Sequence, residues 1–350
     1  MTDGITLRAP VNALRVGRLR YGRPVTDCEP DGPIPRLIHL AFGPACEVVG
    51  TEDLNGGRGV FSRVVRAELA WNGPATHRPP TVAVKLPAPG PNGEAAAATG
   101  ACRREALAYT RLIPHSPITA PRAWLVHHGP GAAASFVLED LSGLRVVDQL
   151  DGLPPGDALA VAGALARFHR HWARPDRHRN LPLRRAVPAA IPAEALTRGL
   201  AALDERWGDV VDGAQRAVFA RLVARRAELV AAFTAGPVTV CHGDPRADNV
   251  AFAPSGPVLF DWQQPALQTG AADVAWLAAT SLNPETRRAL DADLAAAGGC
   301  TLDAYRTGLL LPGLAVLLLA QRAADSKRTA RFIATSLHRI ATAVADFELA

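Results

Sequence analysis

Lysine is almost missing from this sequence. Of 38 basic residues in a chain of 350, only Lys85 and Lys327 are lysine, and the rest are arginine. Aromatic residues make up 5% of the chain and methionine occurs once. So few aromatics leave little to stack single-stranded bases on, and the net charge of +5 is spread along the chain without a basic run. Nucleic acid is therefore not an expected partner, because its recognition needs a clustered basic face. Cys28, Cys46, Cys102, Cys241 and Cys300 are widely spaced and contain no Cys-x-x-Cys pair. That argues against a disulfide framework or a structural zinc site and fits a reducing compartment. Long apolar runs are lacking too. The longest, residues 308–320, is interrupted by Pro312 and falls short of the roughly 18–20 residues a bilayer span requires. Residues 1–22 scatter four arginines among short apolar pieces, with no apolar stretch of a secretory signal. No membrane partner and a cytoplasmic location are the expectations.

What is present is a chain 48% apolar and 20% charged, long enough to exceed one core. Single cores rarely grow past about 250–300 residues, so two domains or one two-lobed domain are expected. Residues 1–50 read as irregular, broken by Pro24, Pro30, Pro33 and Pro35, although residues 37–42 suit a helix. Residues 48–84 are β-rich around the Gly-rich turn Asn55-Gly56-Gly57-Arg58-Gly59, and residues 81–86 read as a buried strand between Pro80 and Pro87. Residues 87–100 look like a Pro/Gly/Ala linker, 101–113 like a helix, and 123–126 and 135–138 like short strands. Helical spacing then dominates at 157–172, 194–207, 215–233 and 273–347, with short strands at 238–241, 250–252 and 258–260. The predicted class is α+β. Residues 1–138 form an antiparallel sheet lobe with one helix, 139–143 a hinge, and 144–350 a mainly helical lobe, the sheet being expected to have five strands.

The segment Cys241-His242-Gly243-Asp244-Pro245-Arg246-Ala247-Asp248-Asn249 lies between two strand patterns, and Val258-Leu259-Phe260-Asp261-Trp262 begins nine residues later. This spacing lets two carboxylates and an amide oxygen, from Asp244, Asn249 and Asp261, converge on one patch. Hard oxygen ligands suit Mg²⁺, which takes one or two carboxylates and completes its shell with phosphate and water. A carboxylate beside the metal but not bound to it can orient a substrate hydroxyl and accept its proton. The plain alternative is an Asx-rich turn whose polar side chains bond only their own backbone. Lys85 is the other conspicuous residue: where arginine replaces nearly every lysine, one retained inside an apolar strand calls for a chemical reason.

The pattern His-Gly-Asp-x-x-x-x-Asn, then an apolar triplet ending in Asp-Trp, resembles the aminoglycoside phosphotransferase and choline kinase superfamily, a branch of the protein-kinase-like fold. It is matched at His242, Gly243, Asp244, Asn249, Asp261 and Trp262, and the resemblance spans about residues 50–280. It implies a Gly-rich turn over the phosphates at Gly56, Gly57 and Gly59, and a strand lysine on the nucleotide at Lys85, closing Val82-Ala83-Val84-Lys85. It further implies a helix glutamate at Glu105, which by sequence could equally pair with Arg103 or Arg104, and a hinge at Glu139 and Leu141 to bind the base. Asp244 becomes the catalytic base, and Asn249 and Asp261 become the metal ligands. Arg246 is implied to touch the transferring phosphoryl group, with a surface pairing to Asp248 as the alternative. Asp273, in Gly270-Ala271-Ala272-Asp273-Val274-Ala275-Trp276, would accept backbone amides of the catalytic loop.

The activity so implied is transfer of a γ-phosphate from ATP (or GTP), with Mg²⁺, to a hydroxyl of a small molecule such as an antibiotic, sugar, nucleoside or other natural product. A catalytically silent nucleotide-binding scaffold and a kinase of a housekeeping metabolite such as choline or a sugar are the alternatives. A protein kinase is disfavoured, because no Ala-Pro-Glu follows Asp261-Trp262. Residues 260–263 and 303–310 look closer to the ecdysteroid-kinase-like branch than to aminoglycoside enzymes proper. Between residues 142 and 240 stand fourteen arginines against ten carboxylates, which leans toward a neutral or anionic acceptor.

Overall fold

The computed structural model describes residues 15–18, 32–54, 62–73, 78–129, 133–185, 191–322 and 326–347. They divide into two compact units. The first runs to His115 and adds Thr119–Leu144 and Asp261–Gln264; the second holds Ser116–Ile118, Arg145–Phe260 and the chain from Pro265.

In the first unit the strands β1 (Arg15–Arg18), β2 (Cys46–Asp53), β3 (Ser62–Trp71), β4 (Thr81–Pro87), β5 (Ala123–His128) and β6 (Ala134–Glu139) form one sheet. Their order is β1-β5-β6-β4-β3-β2. Four of the pairings are antiparallel, and the edge strand β1 runs parallel to β5. The sheet thus has one strand more than expected, in a four-residue arginine-flanked stretch that carries no apolar alternation. Helix α1 (Pro33–Phe42) buries Ile34, Leu37 and Ile38 against Val65, Ala67, Leu69, Val82, Val84 and Leu86. Each fully buried aliphatic side chain of this kind contributes about 1.5–3 kcal/mol. Pro33 and Pro35, read from sequence as breakers, sit in the first helical turn, where backbone N–H groups have no partner to lose. Because strand side chains alternate, the β4 residues that face α1 leave Ala83 and Lys85 on the opposite face.

The expected linker after β4 is instead helix α2 (Pro91–Thr99), opened by a proline in its first turn. Gly100, at φ 75°, ends α2 and turns the chain into α3 (Ala101–Leu107), a left-handed conformation that a Cβ would strain. Among the described residues the first unit therefore has three α-helices where one was expected.

The second unit begins with β7 (Arg145–Val146), α4 (Pro155–Trp172), α5 (Pro175–His178), α6 (Ala193–Arg206), α7 (Gly213–Ala224) and α8 (Arg226–Ala235). It continues through β8 (Thr239–Cys241), β9 (Val250–Ala253), β10 (Gly256–Leu259) and β11 (Ala266–Gln268) to α9 (Ala271–Ser281). The chain ends in α10 (Pro284–Ala297), α11 (Leu302–Gly308), α12 (Leu310–Ala320) and α13 (Lys327–Asp346). Two small sheets, β10-β9-β7 and β11-β8, carry the loop between β8 and β9. The helix expected over residues 215–233 is broken at Arg225, whose ψ of 7° ends α7. Residues Leu302–Ala320 are long and apolar enough to cross a membrane by length and composition, but half of that window is buried inside the protein. Within it α12 packs on α6 and α13, and Gly199 of α6 lets the Leu317 backbone approach to where a Cβ would collide with it.

Candidate active site

Lys85, deep in β4, is almost fully buried and makes two contacts in the first unit. Its Nζ lies 2.7 Å from Glu105 Oε1 and 2.7 Å from Asp261 Oδ1. Glu105 projects from α3, so the pairing with Arg103 or Arg104 left open by the sequence does not occur. Burial opposes the Lys85 ammonium, but Asp261 and Glu105 outweigh it and hold the group above its ordinary range. Burial pushes the Glu105 carboxyl up while Lys85 draws it down, so the partners pull in opposite senses. With both carboxylates at direct contact distance, the charged ammonium dominates. One cation between two carboxylates leaves a negative charge, which a bound cation would offset.

Asp261 is the one non-glycine residue with positive φ, at 61°, among those described. Aspartate tolerates this left-handed region better than most residues, and such conformations gather at functional sites. The segment that follows is clamped by α3: Arg104 Nε donates to Gln263 O at 2.9 Å, and its Nη2 donates to Gln264 Oε1 at 3.1 Å.

In the second unit the loop after β8 is held by hydrogen bonds at almost every residue. Gly243, at φ 85°, makes the turn that only glycine adopts without strain. Asp273 accepts the His242 amide at 2.7 Å and the Gly243 amide at 2.9 Å, the arrangement its motif implied. The His242 ring accepts the Asp244 amide at Nδ1, so Nε2 carries the proton and donates to Phe260 O at 3.1 Å. The Asp244 carboxylate takes the Trp276 indole N–H on Oδ1 at 2.8 Å and the Asn249 amide on Oδ2 at 3.1 Å. Asn249 Nδ2 also donates to Asp244 O, so both of these hydrogen bonds use the amide nitrogen. Arg246 does not pair with Asp248. Its Nε lies 3.5 Å from Asp244 Oδ2, its guanidinium rests 5.3 Å from the Phe332 ring centroid, and Asp248 accepts the Gln149 amide instead.

Of the remaining residues implied by the resemblance, Glu139 ends β6 and its carboxylate accepts the Arg122 amide, while Leu141 O accepts the Leu144 amide. Gly56, Gly57 and Gly59 lie outside the described residues.

The family model that matches this chain is that of the phosphotransferase enzyme family, over residues 75–311, more than half of the sequence. The chain belongs to the phosphotransferase enzyme family. Among solved structures it is similar to APH(2")-IIia, in its GDP and kanamycin complex, at 13% identity and a TM-score of 0.57, over 89% of this chain and 98% of that one. The spectinomycin phosphotransferase APH(9)-Ia, solved with ADP and spectinomycin, follows at 12% identity and 0.51, over 87% and 94%. Ethanolamine kinase from Plasmodium vivax matches at 12% identity and 0.50, over 85% and 82%. At these identities the likeness is one of fold. No curated protein sequence matches the chain.

Two contacts at the candidate site escaped the sequence. Arg104 and Gln263 are 159 positions apart, and nothing local joins them. His169 contacts Asp273 through Nε2 at 2.9 Å from 104 positions away, and no local pattern joins the two. His169, Cys241 and Asp273 bring three potential metal-binding atoms within 4.8 Å. They do not suit a metal: the Cys241 thiol points at Gln268 O and Thr269 O, and burial pushes it well above its ordinary range, away from the thiolate a metal needs.

Asp273 is fully buried. Burial would raise its carboxyl, but His169, His242 and the Gly243 amide hold it below its ordinary range. Asp273→Ala leaves these groups without an acceptor and is expected to cost about 3–5 kcal/mol in urea unfolding. An unfolded aspartate ionises near ~3.9, so the stabilisation is complete above that pH and is lost as pH falls through the lower folded value. The deficit of Asp273→Ala should therefore be full at about pH 6 and shrink toward about pH 3. A deficit independent of pH would contradict this account.

Proposed function

We propose that this phosphotransferase moves the γ-phosphoryl group of ATP or GTP to a hydroxyl of a small molecule, with Mg²⁺ as its metal. The observation that carries the reading is Lys85, held between Glu105 and Asp261. A buried ammonium fixed by a helix carboxylate is what a nucleotide phosphate site requires, and one net negative charge beside it suits a cation. In this reading Lys85 binds the phosphates and Glu105 holds Lys85. Glu139 and Leu141 present backbone to the nucleotide base.

Asn249 and Asp261 would hold the metal. The donor set suits it: among the described residues Asn249 spends its Nδ2 on Asp244, and an amide oxygen with a carboxylate is the hard-oxygen chemistry Mg²⁺ takes. Bound there, Mg²⁺ would neutralise charge on the transferring phosphoryl group. Asp244 would orient the acceptor hydroxyl and take its proton. Arg246, 3.5 Å from Asp244 and over the Phe332 ring, would face the transferring phosphoryl group. The arginine excess of residues 142–240 and the basic start of α13, with Lys327, Arg328 and Arg331, favour a neutral or anionic acceptor over a polycation.

The test is nucleotide-dependent transfer of radiolabelled phosphate to aminoglycosides, nucleoside antibiotics, sugars and amino alcohols, beside thermal shift with ATP or GTP and Mg²⁺. Lys85→Arg keeps the cation that Glu105 and Asp261 need but replaces a compact ammonium by a planar fork. It is expected to lower kcat/KM for the nucleotide roughly 10- to 150-fold, the value of a hydrogen bond to a charged group, with little change in Tm. An unchanged kcat/KM would overturn the nucleotide role of Lys85. Nucleotide binding without transfer to any acceptor would favour the silent scaffold.

A further inference from the structure

Three side chains of α9 grip three successive points of the loop after β8. Asp273 accepts the amides of His242 and Gly243, Trp276 donates to the Asp244 carboxylate, and Ser281 Oγ accepts the Ala247 amide at 2.9 Å. Within the loop, Asp273 and Ser281 meet only backbone and so set its shape. Trp276 differs, because its indole bonds the side chain proposed above as the base.

An aspartate carboxylate rotates broadly about χ2 unless something holds it. Here both oxygens are held: Oδ1 by Trp276 Nε1 at 2.8 Å and Oδ2 by Asn249 Nδ2 at 3.1 Å. Asn249 donates from the loop itself, so it moves with the loop. Trp276 donates from a packed helix, and Thr280 Oγ1 adds a hydrogen bond to its carbonyl at 2.7 Å. The indole N–H is a donor only, uncharged and without an acceptor lone pair. It can orient the carboxylate without competing for the acceptor's proton.

We infer that Trp276 is a positioning residue for phosphoryl transfer, its indole N–H fixing the plane of the Asp244 carboxylate against the incoming hydroxyl. This rests on Asp244 being the base. Reaction through a positioned hydroxyl is sensitive to small displacements, since a shift of about 1 Å can cost on the order of 100-fold.

The experiment is a double-mutant cycle with Trp276→Phe and Asp244→Asn, read as kcat, both KM values and Tm. Trp276→Phe keeps an aromatic ring and removes the N–H. On the otherwise unaltered chain it is expected to lower kcat about 10- to 100-fold, with both KM values changed less than about threefold. With Asp244→Asn already in place, it should cost almost nothing further, because the group it positions has lost its function. A merely structural Trp276 would instead lower Tm and cost the same factor in both backgrounds, which would overturn the inference. A loss confined to the acceptor KM would make Trp276 a substrate contact and overturn it too. An unchanged kcat for Trp276→Phe beside a crippled Asp244→Asn would sink the positioning role alone. Near-parental kcat for Asp244→Asn would sink the base assignment and this inference with it.

Discussion

Asp261→Asn is expected to abolish phosphoryl transfer while leaving the fold intact. The substitution is nearly isosteric, and asparagine accepts the positive φ of 61° found at this position as readily as aspartate does. Lys85 keeps Glu105 as its buried partner, 2.7 Å away, so the first unit retains its internal ion pair. What disappears is one negative charge from the proposed metal site. Removing a group that stabilises transition-state charge typically costs 10²–10³-fold, and loss of a metal's Lewis-acid contribution costs several kcal/mol more. A drop in kcat on the order of 10³-fold or more is therefore expected, with Tm close to that of the parent. The check is kcat measured across a Mg²⁺ titration together with Tm. Full activity at ordinary Mg²⁺ would remove Asp261 from the metal site.

Asp244→Ala should lower kcat by about 10²–10⁴-fold, or roughly 3–5 kcal/mol of barrier, the usual reach of a general base. Nucleotide affinity should change little, because the proposed contact is with the acceptor hydroxyl. Asp244→Asn should be almost as poor. Its amide oxygen can still accept the Trp276 N–H, but it cannot take a proton from the hydroxyl. Because the transition state is loose, the loss in Asp244→Ala combines misplacement of the hydroxyl with loss of its proton acceptor, and Asp244→Asn isolates the second. If Asp244 were a metal ligand, the variant would change its Mg²⁺ dependence; if it only shaped the loop, the variant would lower Tm. Measuring kcat, nucleotide Kd and Tm on Asp244→Asn separates these cases, and near-parental kcat would end the base assignment.

The proposed site was legible wherever its residues are contiguous in the chain. The loop from His242 to Asn249 carries its own turn glycine, carboxylate and amide within eight positions, and Asn249 bonds Asp244 just as so short a loop permits. Lys85 stood out because arginine fills almost every other basic position, and the period of two along β4 put it on the face away from α1. Elements of low sequence contrast were harder. The alanine run of α2 reads as a linker because proline and glycine flank it, yet proline opens a helix and glycine closes one. The break between α7 and α8 at Arg225 carries no local signal at all.

By itself, then, the sequence supplied the residue types of the proposed site, and their order: lysine, helix glutamate, loop aspartate and asparagine, and the aspartate before Trp262. Those assignments depend on neighbours one strand or one turn away, where backbone period and turn chemistry decide. Only the tertiary structure decided what holds each of them still. Arg104 reaches Gln263 across 159 positions, Trp276 reaches Asp244 across 32, and Arg246 turned from Asp248 to Asp244 and Phe332. A hydrogen bond between distant residues depends on how helices pack, and packing is set by the whole buried surface, not by any stretch of chain that can be read alone.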